Sequence, residues 1–109
     1  MTWTASASGT QTATIGTEHT LITDVTNGTY YYQVDVNNMV LGDVLELRIY
    51  TICLSGGASS LTWQHTIGPG LPPETNIASP AQPSDQSYKA TLKQTAGTGR
   101  AFPWKVLRQ

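Results

Sequence analysis

The segment Leu21–Val36, LITDVTNGTYYYQVDV, decides the fold class of this 109-residue chain. Its β-branched and aromatic residues fall on alternate positions, as in strands with one buried face. Asn27-Gly28 is the strongest two-residue hairpin signal, so the sequence predicts two antiparallel strands joined at that turn. Counting outwards gives one apolar face with these opposed pairs: Val25/Tyr30, Thr23/Tyr32, Leu21/Val34 and His19/Val36. The other face, with Tyr31, Gln33 and Asp35, is predicted to be solvated or covered by a partner.

The same alternation recurs along the rest of the chain. It spans Leu45 to Cys53, Leu61 to Ile67 and Tyr88 to Leu92, and no helical period of useful length competes with it. The fold prediction is therefore all-β: a single antiparallel β-sandwich or jelly-roll-like domain of six to eight short strands.

Glycines and prolines predict the connections between these strands. A three-residue loop over Gly56–Ala58 opposes Ile49 with His65 and keeps the apolar residues of both strands on one face. Cys53 falls on that face and is expected to be a small buried hydrophobe. The proline-rich stretch from Gly68 to Pro83 predicts a crossing loop with a short edge strand at Thr75 to Ala78.

The two ends of the chain differ in composition from its middle. Residues 1–16 are rich in Thr, Ser, Ala and Gly, which predicts an extended N-terminal arm that orders against a partner, followed by a β-sandwich domain over 17–109. Trp3 in that arm is either an anchor for a neighbouring chain or packs back on its own domain. Near the other end, Phe102 and Trp104 flank a proline, in a pattern typical of a closing strand or a projecting anchor.

Composition excludes several classes of function. Charged residues make up only 12% of the chain and the formal net charge is −1, so no basic surface for nucleic acid or an anionic membrane is expected. His19 and His65 are the only histidines, and both are interpreted as structural because each falls on the apolar side of its predicted strand. No motif for catalysis, metal or cofactor binding is visible, so the chain is predicted to be neither an enzyme nor a cofactor protein. It shows no signal peptide and no membrane-spanning stretch.

Three segments carry a resemblance to a known class of protein. They are Ala90–Trp104 (ATLKQTAGTGRAFPW), Gly42–Arg48 (GDVLELR) and Leu54–Gly57 (LSGG). With them the chain resembles, from about Glu18 to Leu107, small β-rich virion proteins of tailed bacteriophages, which are usually taken for capsid decoration, or cement, proteins. The resemblance implies a structural protein on the capsid surface, made in the cytoplasm of a host bacterium, with the major capsid protein as its partner. A tail or fibre adaptor and a carbohydrate-binding host-recognition module remain as alternatives.

Two groups of residues are predicted to make the contacts of such a protein. Aromatic and basic residues of the ends are assigned to the capsid or another partner: Trp3, Arg100, Phe102 and Trp104. Apolar residues that continue the outward face of the strand after Arg48 are assigned to an interface between copies, with a trimer as the favoured oligomer: Tyr50, Ile52 and Leu54.

Overall fold

Nine strands and no helix make up the protein over residues 3–109, the part that the computed structural model describes. The strands are β1 (Thr4–Thr12), β2 (Glu18–Asp24), β3 (Gly28–Asp35), β4 (Val44–Thr51), β5 (Ser60–Ile67), β6 (Asn76–Ala78), β7 (Gln82–Ser84), β8 (Tyr88–Ala96) and β9 (Ala101–Arg108).

These strands form two antiparallel sheets packed face to face. In sheet A the order is β1-β9-β3, and the two short strands β6 and β7 both pair with β3. In sheet B the order is β2-β8-β4-β5. The predicted β-sandwich is confirmed, although it holds one strand more than the six to eight expected.

The predicted hairpin at Asn27-Gly28 is wrong, because its two strands lie in different sheets. Strand β2 pairs with β8, and β3 pairs with β9. A two-residue type I′ turn requires positive φ at its central residues, and Gly28 has none. The glycine serves close packing instead, since a Cβ there would lie 2.8 Å from Arg108 Cγ.

The inward face predicted for β3 is nevertheless confirmed. Tyr30, Tyr32 and Val34 are fully buried, and they meet the apolar residues of sheet B across the core. Tyr30 stacks on Tyr88 with ring centroids 4.3 Å apart, and the Tyr32 hydroxyl donates to the Thr91 carbonyl at 3.1 Å. Burial in this core raises the pKa of Tyr30 to about 12. The rest of the buried apolar core includes Val36, Leu45, Leu47, Ile49, Ala90, Leu92, Phe102 and Val106.

The β4–β5 pair is the one hairpin between consecutive strands in residues 3–109. Its register differs by two residues from the prediction, because Ile49 opposes Trp63 rather than His65. A shift of two keeps the side chains of residues 63–67 on their predicted face, whereas Leu61, predicted on the apolar face, opposes Tyr50 of the outer face. The register breaks at Thr62, which forms a bulge in β5. The loop spans residues 52–59 instead of three, and Cys53, expected to be buried, is exposed in it.

The N-terminal segment is also corrected by the structure. Residues 4–12 form β1, which pairs along its length with β9 of the same chain. This segment is therefore an edge strand of sheet A and not an arm that waits for a partner. The strand predicted near Thr75 is present as β6, and the alternating segment from Tyr88 to Leu92 lies in β8.

Candidate functional site

A buried carboxylate ties two distant loops together at one corner of the sandwich. Asp43 precedes β4 and is 1% exposed. Its carboxylate accepts hydrogen bonds from the backbone N–H of Val40 at 3.0 Å and of Thr98 at 3.3 Å, and from Arg100 Nε at 3.0 Å. Burial alone would raise the pKa of Asp43, but these hydrogen bonds and the Arg100 charge together lower it. We call this arrangement the Asp43 corner.

The turn between β8 and β9 packs closely against the Asp43 carboxylate. Gly97 has a φ of +92°, and a Cβ there would overlap the Asp43 carboxylate. The buried Gln94 side chain donates to the Thr98 carbonyl at 2.8 Å and accepts from the Arg100 N–H at 3.2 Å. Two of the segments that stand out in the sequence, Gly42–Arg48 and Ala90–Trp104, therefore meet here for a structural reason.

The outer face of sheet B carries a polar network whose members bond to one another. Glu18 accepts from Thr91 Oγ1 at 2.6 Å, from the Tyr50 hydroxyl at 2.7 Å and from Arg48 at 3.0 Å. Arg48 also donates to Glu46 at 2.8 Å. Burial alone would raise the pKa of Glu18, but the hydrogen bonds from Thr91 and Tyr50 and the Arg48 charge outweigh it and lower the pKa. The Glu18 carboxylate therefore finds its partners within the molecule.

Replacing Glu18 by glutamine should lower the free energy of unfolding by about 1 kcal/mol at neutral pH, because charge-assisted hydrogen bonds become neutral ones at a partly exposed site. A carboxylate whose pKa is lowered by folding stabilises the fold above its unfolded-state pKa, and that stabilisation is lost as pH falls through the folded-state pKa. The variant should therefore lose less stability than the wild type on acidification. Urea unfolding across this pH range measures both effects. If Glu18→Gln and the exposed control Glu74→Gln change the free energy of unfolding and its pH dependence equally, the Glu18 network does not stabilise the fold.

The outer face of sheet A is different, because it holds a groove. The groove has a volume of about 340 Å³ and is lined by residues of β1, β3, β6 and β9: Ser8, Gln33, Asp35, Asn76, Pro103, Trp104 and Lys105. Beside it lies a second depression of about 270 Å³, lined by Trp3, Tyr31 and Leu107. The Trp3 and Tyr31 rings are tilted by 54°, with centroids 6.1 Å apart. We call the two depressions together the sheet A groove.

Strand β5 is an exposed edge of sheet B. Beyond β4 it has no strand neighbour in the described part of the chain. Its eight residues, SLTWQHTI, include no Asp, Glu, Lys, Arg or Pro. Leu61 is 51% exposed, and Leu54 in the preceding loop is 75% exposed. We call this strand, with Ile52 and Leu54, the β5 edge.

The structure separates the residues that the sequence assigns to a partner. Phe102 lies in the core with no exposed surface, so its assignment as a contact is wrong. Arg100 is engaged by Asp43, and Trp104 is partly buried against the core. Trp3 is 39% exposed and packs on its own domain in the sheet A groove.

The three residues assigned to an interface between copies also lie in two different places. Tyr50 belongs to the polar network, and its ring lies under Lys89 Nζ at 4.4 Å. Ile52 and Leu54 lie in the β4–β5 loop, next to the β5 edge strand. Sequence reasoning missed the Asp43 corner and the groove, because both are made by residues far apart in the chain.

The two histidines lie apart from each other in the fold. The Thr14 N–H donates to His19 Nε2 at 3.1 Å, and His65 stacks on Trp63 with centroids 5.9 Å apart. Residues 3–109 contain no group of three or more His, Cys, Asp or Glu side chains placed to hold a metal ion. Over the same residues, no helix is long and apolar enough to span a membrane.

The fold defines the class of this protein as a two-sheet antiparallel β-sandwich. No known protein family, curated protein or solved structure matches the chain.

Proposed function

We propose that this protein is a non-enzymatic structural component of a tailed-phage virion that binds the outer surface of the head and stabilises it. The resemblance of its sequence to decoration proteins first suggests this role. The observation that carries the proposal is the β5 edge, because it offers unpaired backbone groups and exposed apolar side chains in one place.

The β5 strand lacks two usual protections of an edge strand, charged residues and proline. Open edges of soluble proteins are normally blocked by charges, prolines or bulges, since their free N–H and C=O groups pair with other chains. The opposite edge strand of sheet B, β2, carries the charged residues Glu18 and Asp24. In sheet A, the short strand β7 carries Pro83. On β5 a bulge at Thr62 leaves Trp63–Ile67 regular and uncharged. These five residues suit the addition of a strand from a capsid subunit.

Side chains around the edge add the apolar area that such a contact needs. By register, Trp63 and His65 face the same side as the buried Ile49 and Leu47, yet His65 is exposed. A stable interface buries about 1,200–2,000 Å² in total, more than one short strand supplies. In this proposal Ile52 and Leu54 join neighbouring copies, most simply as a trimer, and the copies then bind the major capsid protein together.

A charge on the β5 edge should therefore weaken binding to phage heads without unfolding the protein. Leu61→Lys and Thr66→Lys are expected to reduce occupancy on heads at least about tenfold, because the lysine must be desolvated in the contact. Thr20→Lys on the β2 edge of the same sheet is the matched control and should bind like the wild type. Sedimentation of labelled protein with purified heads measures the occupancy.

The copy number in virions separates this proposal from its alternative. Quantitative mass spectrometry, normalised to the major capsid protein, should show many copies per particle. A few copies per particle would favour a tail or fibre adaptor, and absence from virions would overturn the proposal. Heads that bind Leu61→Lys and Thr66→Lys as well as the wild type would overturn the role of the β5 edge.

A further inference from the structure

The sheet A groove has the size and position of a ligand site. Its main depression, about 340 Å³, falls in the range of about 300–1,000 Å³ typical of small-molecule pockets. It lies on the outer face of sheet A, whereas the β5 edge belongs to sheet B. A ligand in the groove would thus not compete with the head contact proposed above.

Most polar side chains of the groove have no partner within the described residues. Ser8, Gln33, Asn76 and Lys105 make no side-chain hydrogen bond or ion pair there, and Asp35 accepts one bond, from the N–H of Asn37 at 2.9 Å. This contrasts with the outer face of sheet B, where Glu18 alone accepts three bonds. Amide side chains offer donors and acceptors together, as a ligand rich in hydroxyl groups requires.

Aromatic side chains continue the groove at one end. Tyr31, Gln33 and Asp35 alternate along one face of β3, and Leu107 and Lys105 oppose the first two on β9. Residues two positions apart on a strand are about 6.8 Å from each other. The surface from Tyr31 to Asp35, four positions apart, is therefore about 14 Å long. It runs from the tilted Trp3–Tyr31 pair to the polar groove. Such rings present flat apolar faces with a polar edge.

The charge of the groove selects among hydroxyl-rich ligands. Among the described residues that line it, Asp35 and Lys105 are the only side chains charged at neutral pH, and their charges cancel. Nucleic acid requires an excess of basic groups. A neutral saccharide has hydroxyl groups for the amides and C–H faces for the aromatic rings. We infer that the sheet A groove binds a short neutral oligosaccharide, with one sugar ring against Trp3 and Tyr31 and the hydroxyl groups of the following sugar units towards Gln33 and Asn76.

The test is titration of the full chain with defined sugars, followed by NMR and calorimetry. The panel contains glucose, galactose, mannose, N-acetylglucosamine, N-acetylgalactosamine and short oligomers of each. At least one oligomer should bind saturably, with amide shift changes confined to β3, β9 and the residues around Trp3 and Asn76. Trp3→Ala and Asn76→Ala should each weaken binding about tenfold, the equivalent of about 1.4 kcal/mol.

Matched controls keep the result interpretable. Leu71→Ala removes an exposed apolar side chain outside the groove and should leave sugar affinity unchanged. Thermal unfolding should show that Trp3→Ala and Asn76→Ala remain folded, since both side chains are exposed. The inference fails if no sugar of the panel binds saturably, or if Leu71→Ala weakens binding as much as Trp3→Ala. It also fails if the groove variants lose binding to phage heads instead, since the groove would then contact protein. Leu61→Lys and Thr66→Lys leave the groove intact. Their effect on head binding therefore tests the proposed function separately from sugar binding.

Discussion

Replacing Asp43 by alanine is expected to lower the free energy of unfolding by about 3 kcal/mol, because it removes the acceptor for several buried donors. The N–H groups of Val40 and Thr98 would lose their partner, and so would Arg100. This loss is a large part of the 5–15 kcal/mol typical of whole domains. Urea or thermal unfolding of the variant measures it.

A matched substitution and the pH dependence test the cause of this loss. Asp85→Ala removes an exposed carboxylate and should change stability by less than about 0.5 kcal/mol. Folding lowers the pKa of Asp43, so this residue stabilises the fold above its unfolded-state pKa of about 3.9 and stops doing so as pH falls through the folded-state value. The free energy of unfolding of Asp43→Asn should thus depend less on pH in the acid range than that of the wild type. Asp43→Ala behaving like Asp85→Ala would show that the corner does not stabilise the fold.

Replacing Phe102 by alanine should cost about 3–5 kcal/mol, because it leaves a cavity in the centre of the core. The ring has no exposed surface, and β9 lies between β1 and β3 in sheet A. The size of the loss depends on how far the surrounding side chains collapse. Calorimetry and urea unfolding report it directly.

The control for this variant is an apolar deletion at the surface. Leu41 is 77% exposed, and Leu41→Ala should change stability by less than about 0.5 kcal/mol. The comparison also separates the two interpretations of Phe102. A partner anchor would leave stability unchanged and reduce only binding, whereas a core residue reduces stability in the isolated protein.

The sequence predicted which side chains of a strand are buried, but it did not predict which strands pair with each other. Alternation in β3 and β8 shows which side chains point inward, because the side-chain period of a strand is two residues. It does not show which strands pair, and Asn27-Gly28 therefore suggested a hairpin where the chain crosses between sheets. The close approach of Arg108 that requires Gly28 involves a residue eighty positions away.

The candidate sites were predictable only in part, for the same reason. The polar face of Tyr31, Gln33 and Asp35 was expected to be solvated or covered by a partner, and it lines the sheet A groove. Its partners on β9 and β1 come from the two ends of the chain. Likewise, Asp43 and Gly97 each signal a turn in the sequence, yet only the fold shows that they meet.

The position of β9 within sheet A has a consequence for biosynthesis. Strand β9 is the last of the nine to leave the ribosome, and β1 is the first, yet the two pair along their length. Until β9 emerges, β1 and β3 share no neighbour and the nascent core lacks Phe102 and Val106. Only the β4–β5 hairpin joins consecutive strands in residues 3–109, so it is the one element able to form early from local contacts. Sheet A can be completed only after all nine strands have been translated, so the apolar side chains of β1 and β3 lack their β9 neighbours until that moment.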